Sequence, residues 1–101
     1  MNQLTFFVSE KQHHVGIPLY EWLLEEAKGL GIHGGSAFRA IAGFGRHGRL
    51  HEETFFELAG ELAVKVEFIL DDALAEQIMQ RVRAQSLNVF YVRHEVQSGI
   101  A

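Results

Sequence analysis

The residues with the most evident chemical potential lie in the segment from Arg39 to His51, which reads RAIAGFGRHGRLH. Three of the chain's six arginines, three of its ten glycines and two of its six histidines fall in this segment, which contains no acidic residue. The chain as a whole carries a formal net charge of −4. Glycine-rich backbone can present N–H groups to an anion, and arginine side chains can complete the charge. The segment therefore predicts a site for a small anionic ligand.

The predicted site combines backbone and side-chain groups. The backbone N–H groups of residues 43–45 would form its concave surface, and Phe44 would stack on a base or pack into a neighbouring subunit. The preceding strand end and the turn after the first strand would add charged side chains. The predicted ligand-binding residues are Arg39, Gly43, Phe44, Gly45, Arg46, Arg49, His51, Lys11 and His14.

A simpler interpretation of the same segment stays open. Its glycines could only release a strand into a turn, and its arginines could be solvated. The segment matches neither the Walker pattern nor the GxGxxG fingerprint, so the motif alone is a weak signal for phosphate binding.

The histidines define an alternative chemistry. His47 and His51 are four residues apart, which is a metal-binding spacing on a helix, and His13 or His14 could add a ligand. However, Gly48 lies between the first pair, and the chain has no cysteine. We therefore predict no dedicated metal site and keep a histidine-based, metal-responsive protein as the alternative.

Catalysis and nucleic-acid binding are both disfavoured. The serines lack a G-x-S-x-G context, and the carboxylate pairs at 52–53 and 71–72 are better explained as solvated charge and helix caps. The acidic balance and the absence of an RNP-like aromatic pattern in the third strand disfavour RNA. We predict that the chain is not an enzyme and has no nucleic-acid partner.

The elements that must position these residues follow from hydrophobic periodicity. Strands are predicted at 4–9, 36–42, 63–70 and 87–96, and helices at 19–28 and after an Asp71-Asp72 cap. Residues 10–16 are predicted as a loop, and residues 43–62 are predicted as a long connecting segment with a helical turn around 53–58. The order β-α-β-β-α-β predicts an α+β, ferredoxin-like fold, with two helices on one face of a four-stranded antiparallel sheet.

Strand alternation also predicts the residues on the face of the sheet that the helices leave uncovered. Large apolar residues and charges of both signs occur together there, which is typical of a subunit contact. A sheet wetted on one side is the alternative. The predicted uncovered residues are Thr5, Phe7, Arg39, Ile41, Lys65, Glu67, Ile69, Tyr91, Arg93 and Glu95.

Length and composition predict the number of domains and the cellular location. A length of 101 residues, 48% hydrophobic, predicts one domain spanning 1–101. The N-terminus does not resemble a signal peptide, and no window is long and apolar enough to span a membrane. Together with the absence of cysteine, these features predict a cytoplasmic protein that is not itself inserted in a membrane.

Four motifs carry a family resemblance. They are Gly16 with Pro18-Leu19-Tyr20-Glu21, Gly31 to Gly35, Arg39 to Gly45, and Arg49 to His51. Over nearly the whole chain the sequence resembles the PII-like family called domain of unknown function 190. The resemblance implies a ferredoxin-like fold, a homotrimer similar to PII signalling proteins, a flexible loop between the second and third strands, and nucleotide or small-metabolite binding between subunits.

The chain departs from the family pattern at Ala40, where a glycine is common. Residues 43–62 contain no tyrosine, so regulation by tyrosine modification is not carried over. The ligand specificity of PII proteins is not carried over either, because their own signatures are missing.

These observations lead to one prediction and two alternatives. We predict a cytoplasmic homotrimer that binds a small anionic metabolite at an intersubunit cleft, with ATP, ADP or AMP as candidate ligands. It would signal through a mobile 43–62 loop to a protein partner such as a membrane transporter. The alternatives are a metal-responsive trimer and a structural oligomer without a ligand.

Overall fold

The computed structural model describes residues 1–44 and 63–101. Within these ranges β1 (Asn2–Ser9), β4 (Gly35–Arg39), β5 (Ala63–Leu70) and β6 (Phe90–Glu95) form an antiparallel sheet in the order β4-β5-β1-β6, which is the ferredoxin-like arrangement. The predicted α+β, ferredoxin-like fold is therefore confirmed. The elements are β1 (Asn2–Ser9), β2 (His13–His14), β3 (Ile17–Pro18), α1 (Leu19–Gly29), β4 (Gly35–Arg39), β5 (Ala63–Leu70), α2 (Asp72–Ala84) and β6 (Phe90–Glu95).

The core lies between the two central strands and the two helices. Leu4 and Phe6 of β1 stand opposite Phe68 and Val66 of β5, and all four side chains are buried. The same alternation in the sequence predicted this face, because every second residue of a strand points to the same side. Leu23 of α1 and Ile78 of α2 close the core from the helix layer.

The start of α2 and the end of α1 lie where the sequence predicts them. The Asp71 carboxylate caps α2 by accepting a hydrogen bond from the Leu74 N–H at 2.8 Å. After α1, Gly31 has a positive φ of 86°, and the Ile32 N–H donates to the Ala27 carbonyl at 3.1 Å. This bond and the left-handed Gly31 form a Schellman motif, in which N–H groups after the helix bond to its last carbonyls.

Three predicted boundaries are corrected. The predicted loop 10–16 contains a small hairpin, because Val15 and Gly16 both have positive φ and turn β2 back onto β3. The second predicted strand ends at Arg39 and not at residue 42. The last strand begins at Phe90 and not at residue 87, since nearby residues adopt left-handed backbone. The predicted helical turn around 53–58 lies outside the described residues.

The register of the two edge strands corrects half of the predicted uncovered face. Arg39 stands opposite Val64, and Arg93 stands opposite Leu4, so both lie on the helix side of the sheet. Because the helices cover mainly the central strands, the helix-side positions of the edge strands stay accessible and accept charged residues. Ile41 lies beyond the end of β4. Tyr91 and Glu95 also lie on the helix side, and the edge residues on the uncovered face are Ser36, Phe38, Phe90, Val92 and His94.

The central strands occupy the uncovered face as predicted. It includes Thr5, Phe7, Lys65, Glu67 and Ile69. Lys65 Nζ lies 3.1 Å from Glu67 Oε2, so a charged pair sits among apolar side chains. In the described ranges, neither helix is long and apolar enough to cross a membrane.

Candidate functional site

The candidate site lies at the end of the sheet where β4 finishes and β5 begins. Arg39 is the last residue of β4, and its Nε donates to Glu10 Oε1 at 2.7 Å. Glu10 follows β1 and precedes Lys11, so the fold brings the predicted residues Arg39 and Lys11 to the same end of the sheet. The Ala40 N–H still donates to the Ala63 carbonyl at 2.9 Å. The two strands are therefore held together at the point where the intervening segment leaves.

A pocket of about 150 Å³ opens next to Arg39. Lys65 Nζ lies 5.4 Å from the centroid of the Phe38 ring, within the range of a cation–π contact. The side chain of Arg39 is 63% exposed, so its guanidinium can meet a ligand. Lys65 and the two aromatic rings on the uncovered face can hold an anionic group attached to a flat ring, and Arg39 lines the same pocket from the strand end. The pocket is lined by Phe7, Phe38, Arg39, Ala40, Ala63 and Lys65.

Three of the predicted residues have other surroundings. The His14 ring meets Trp22 edge-on, with centroids 4.9 Å apart, and its Nε2 lies 3.0 Å from Gln85 Oε1. These contacts place His14 against the helix layer, whereas Arg39 contacts Glu10 at the sheet end. Gly43 and Phe44 follow β4, and the Phe44 side chain is highly exposed. A ligand role for all three stays a prediction.

The rest of the predicted site falls on residues that the structure leaves undescribed. Gly45, Arg46, Arg49 and His51 lie outside the described residues, as does His47 of the alternative metal site. Within residues 1–44 and 63–101, no group of three or more histidine, aspartate or glutamate side chains is placed to hold a metal ion.

Sequence reasoning missed the two aromatic residues and the lysine that line the pocket. Phe7 and Lys65 were expected on the uncovered face but not as ligand contacts, and Phe38 was expected on the opposite face. The position of Phe38 follows from its place opposite Lys65 in the register of β4 on β5. That register is a long-range pairing, and no local pattern in the sequence reveals it.

A second polar cluster ties the other end of the sheet to α2. The Asn2 side-chain amide donates to the Asp72 carboxylate, and this bond, helped by the charge of Arg93, lowers the pKa of Asp72 despite some desolvation. Arg93 Nη1 donates to Glu76 Oε2 at 2.6 Å, which raises the pKa of the guanidinium. The cluster joins β1, β6 and the first turns of α2, so its role is structural.

Comparison with known proteins places this architecture in a family. The model of the family domain of unknown function 190, described as an uncharacterized ACR, matches residues 1–98. A "UPF0166 protein" of Aquifex aeolicus (strain VF5) is 34% identical over 82 residues, which cover 81% of this chain and 78% of that protein.

A solved structure supports the fold. The crystal structure of a protein from Thermus thermophilus, described as a PII-like signalling protein, aligns with a TM-score of 0.56 and 20% identity. The alignment covers 92% of this chain and 81% of the other. At that identity the likeness shows a shared fold. Together, the family match over nearly the whole chain and the ferredoxin-like sheet order show that this chain belongs to the domain of unknown function 190 family and has a PII-like fold.

Proposed function

We propose that this chain is a PII-like regulatory protein, and not an enzyme, that binds a small anionic metabolite beside Arg39. The observation that carries the proposal is the pocket at the end of β4, which is lined by Arg39 and Lys65 together with Phe7 and Phe38. Guanidinium and ammonium groups match phosphate oxygens, and aromatic faces match a purine ring. An adenine nucleotide combines both features, so ATP, ADP and AMP are the ligands we propose.

The uncovered face of the sheet supports a homotrimeric assembly as the second part of the proposal. Phe38 is 48% exposed and Phe90 is 55% exposed, and Ile69 and Val92 on the same face are also exposed. Apolar and aromatic side chains around the Lys65–Glu67 pair have the composition of a subunit contact. In such an assembly the pocket would lie near a neighbouring chain, which makes an intersubunit cleft the proposed location of the ligand.

Signalling through residues 43–62 completes the proposal. The ligand would sit beside the ends of β4 and β5, from which this segment departs, so its binding could favour one arrangement of the segment over another. The change in population is limited by the difference in ligand affinity between the two arrangements. A protein partner that meets this chain in the cytoplasm, such as the cytoplasmic face of a membrane transporter, would respond to that change.

Thermal-shift titration with ATP, ADP and AMP tests the binding step. A ligand at a concentration ~100 times its Kd should stabilise the folded protein by about 2.7 kcal/mol, which is readily measured as a rise in Tm. Arg39→Ala should abolish the rise without changing the oligomeric state, because Arg39 contributes charge and not core packing. Arg49→Ala should do the same if the predicted charges beyond residue 44 join the site.

Arg81→Ala is the matched control for this experiment. Arg81 also donates to a glutamate, Glu26, at 2.7 Å, and its side chain is similarly exposed, but it does not line the pocket. Its loss should leave the nucleotide-dependent rise intact. If no nucleotide shifts the Tm of the parent protein at millimolar concentration, the binding proposal fails. A response to zinc or copper that His47→Ala/His51→Ala removes would favour the metal-responsive alternative.

A further inference from the structure

We propose that the cavity between the C-terminal half of α2 and the start of β6 binds a small carboxylate with an apolar body. The cavity has a volume of about 440 Å³. That size falls within the range of roughly 300–1,000 Å³ typical of small-molecule sites. Among the described residues it shares no lining residue with the pocket beside Arg39, and it lies against the opposite edge strand of the sheet. The proposal therefore stands independently of nucleotide binding.

The floor of the cavity is apolar. Phe6 of β1 and Met79 and Val82 of α2 line it, and all three side chains are buried in the core. Leu87 and Val89, which are half-buried, continue this surface toward the mouth. A ligand that fills the cavity would remove apolar surface from water, so its body is expected to be hydrophobic.

The rim of the cavity carries polar side chains without partners. Arg83, Ser86 and Asn88 line it, and their side chains make no hydrogen bond or ion pair with the described part of the chain. The other three arginines in residues 1–44 and 63–101 each bind a carboxylate of this chain. Arg83 therefore offers an uncompensated guanidinium above an apolar floor, which is the complement of an amphipathic anion.

The backbone at the mouth is held in an uncommon conformation. Ser86 has φ of 55° and Asn88 has φ of 54°, both in the left-handed region that residues with side chains seldom adopt. Ser86 directly follows the C-cap of α2, where a left-handed residue commonly ends a helix, and asparagine enters this region more readily than most residues. Here Ser86 and Asn88 shape the turn that carries the unpaired hydroxyl and amide groups to the rim.

The charge of the site favours a monoanion over a polyanion. The cavity lies at the C-terminal end of α2, where the exposed carbonyl groups of a helix carry a partial negative charge. Arg83 is the one cation among the described lining residues, so its charge must offset both the field of the helix end and the charge of the ligand. A carboxylate can take two parallel hydrogen bonds from one guanidinium, whereas a polyphosphate would bring more charge than the site can compensate.

Naphthoate is a suitable probe, and neutral naphthamide is its isosteric control. Binding of each compound is followed by amide NMR spectra of the full chain. Naphthoate should shift the amides of α2 near Val82 and those of residues 86–91, and should bind more tightly than naphthamide. Arg83→Gln should weaken naphthoate binding by about tenfold or more, since it removes a charge-assisted pair. Arg81→Gln, in the same exposed last turns of α2 but outside the cavity, should leave the affinity unchanged.

A charge reversal gives a second, independent arm. Arg83→Glu should lose naphthoate and gain naphthylmethylammonium, because the apolar floor is kept while the rim charge is inverted. Equal binding of naphthoate by the parent and by Arg83→Gln would overturn the proposal. So would an absence of shifts at millimolar naphthoate. If ATP binding disappears in Arg83→Gln, the cavity belongs to a nucleotide site and the separate carboxylate site is refuted.

Discussion

The two ends of the sheet contrast in how their polar groups are used. At the end where β1 begins, Asn2, Asp72, Glu76 and Arg93 bond to one another and tie the sheet to α2. At the end where β1 finishes, the ion pair that Arg39 makes within residues 1–44 and 63–101 is an exposed contact with Glu10. Polar groups that satisfy one another stabilise a fold but leave little for a ligand, whereas accessible cations beside pockets can bind one. We call these the closed end and the open end.

The backbone follows the same division. The closed end carries the capped start of α2 and the Schellman motif after α1, both with satisfied backbone groups. The open end carries the two pockets and the left-handed residues Ser86 and Asn88. Substitutions at the closed end should therefore change stability, and substitutions at the open end should change binding.

The largest effect is expected for Gly35→Ala near the closed end. A Cβ at Gly35 would lie 2.6 Å from Phe68 Cδ1 and 3.2 Å from Leu24 Cδ2, so the buried ring would have to move. Overpacking of this kind costs about 1–3 kcal/mol in the free energy of unfolding. Urea unfolding should show that loss for Gly35→Ala but a change within about 0.5 kcal/mol for Gly34→Ala, whose Cβ would meet nothing within 4 Å. Equal costs for the two variants would contradict the packing argument.

Loss of the helix cap should come next. Asp71→Ala removes the carboxylate that accepts the Leu74 N–H, and losing an N-cap costs about 1 kcal/mol. Asp71→Asn keeps a side-chain acceptor and should recover most of that stability. The free energy of unfolding in urea separates the two variants. An Asn variant as unstable as the Ala variant would mean that the charge, and not the cap, is what matters.

A smaller effect on stability is expected at the open end. Arg39→Ala removes an exposed ion pair, and such pairs contribute roughly 0–1 kcal/mol. The variant should therefore melt close to the parent protein while losing the response to nucleotide. A large loss of stability without ligand would show that the open end is structural, and the contrast between the two ends would fail.

The smallest effect is expected for the dependence of stability on pH, and it involves Asp72 at the closed end. The pKa of Asp72 is lowered from an ordinary value of 3.8, chiefly by the hydrogen bond from Asn2. A lowered carboxyl pKa in the folded state adds stability above the ordinary value and loses it as pH falls through the lowered pKa. Asn2→Ala should therefore raise the pKa of Asp72 and weaken this part of the acid dependence. Carboxyl NMR titration would detect the change, and an unaltered Asp72 pKa would contradict the assignment.

The candidate site was only partly predictable from the sequence. The cluster of cations and glycines after Arg39 pointed to the strand end at which a pocket opens, and Arg39 itself lines that pocket. The contributions of Phe38 and Lys65 depend on how β4 pairs with β5, and that pairing joins residues far apart in the chain. The cavity near Arg83 needs Phe6 of β1 to meet the stretch from Met79 to Tyr91, so periodicity within either segment could not indicate it.

The sequence by itself determined the order of the four sheet strands and the two helices, the buried faces of β1 and β5, the residue that caps the start of α2 and the glycine that ends α1. These features depend on local alternation, on a capping carboxylate and on a left-handed glycine, which act within a few residues of the chain. Tertiary structure alone decided which way the edge strands face. An edge strand has one neighbour and little cover from the helices, so burial does not force its apolar residues inward. Its register on the central strands placed Phe38 and Phe90 on the uncovered face and Arg93 beside α2.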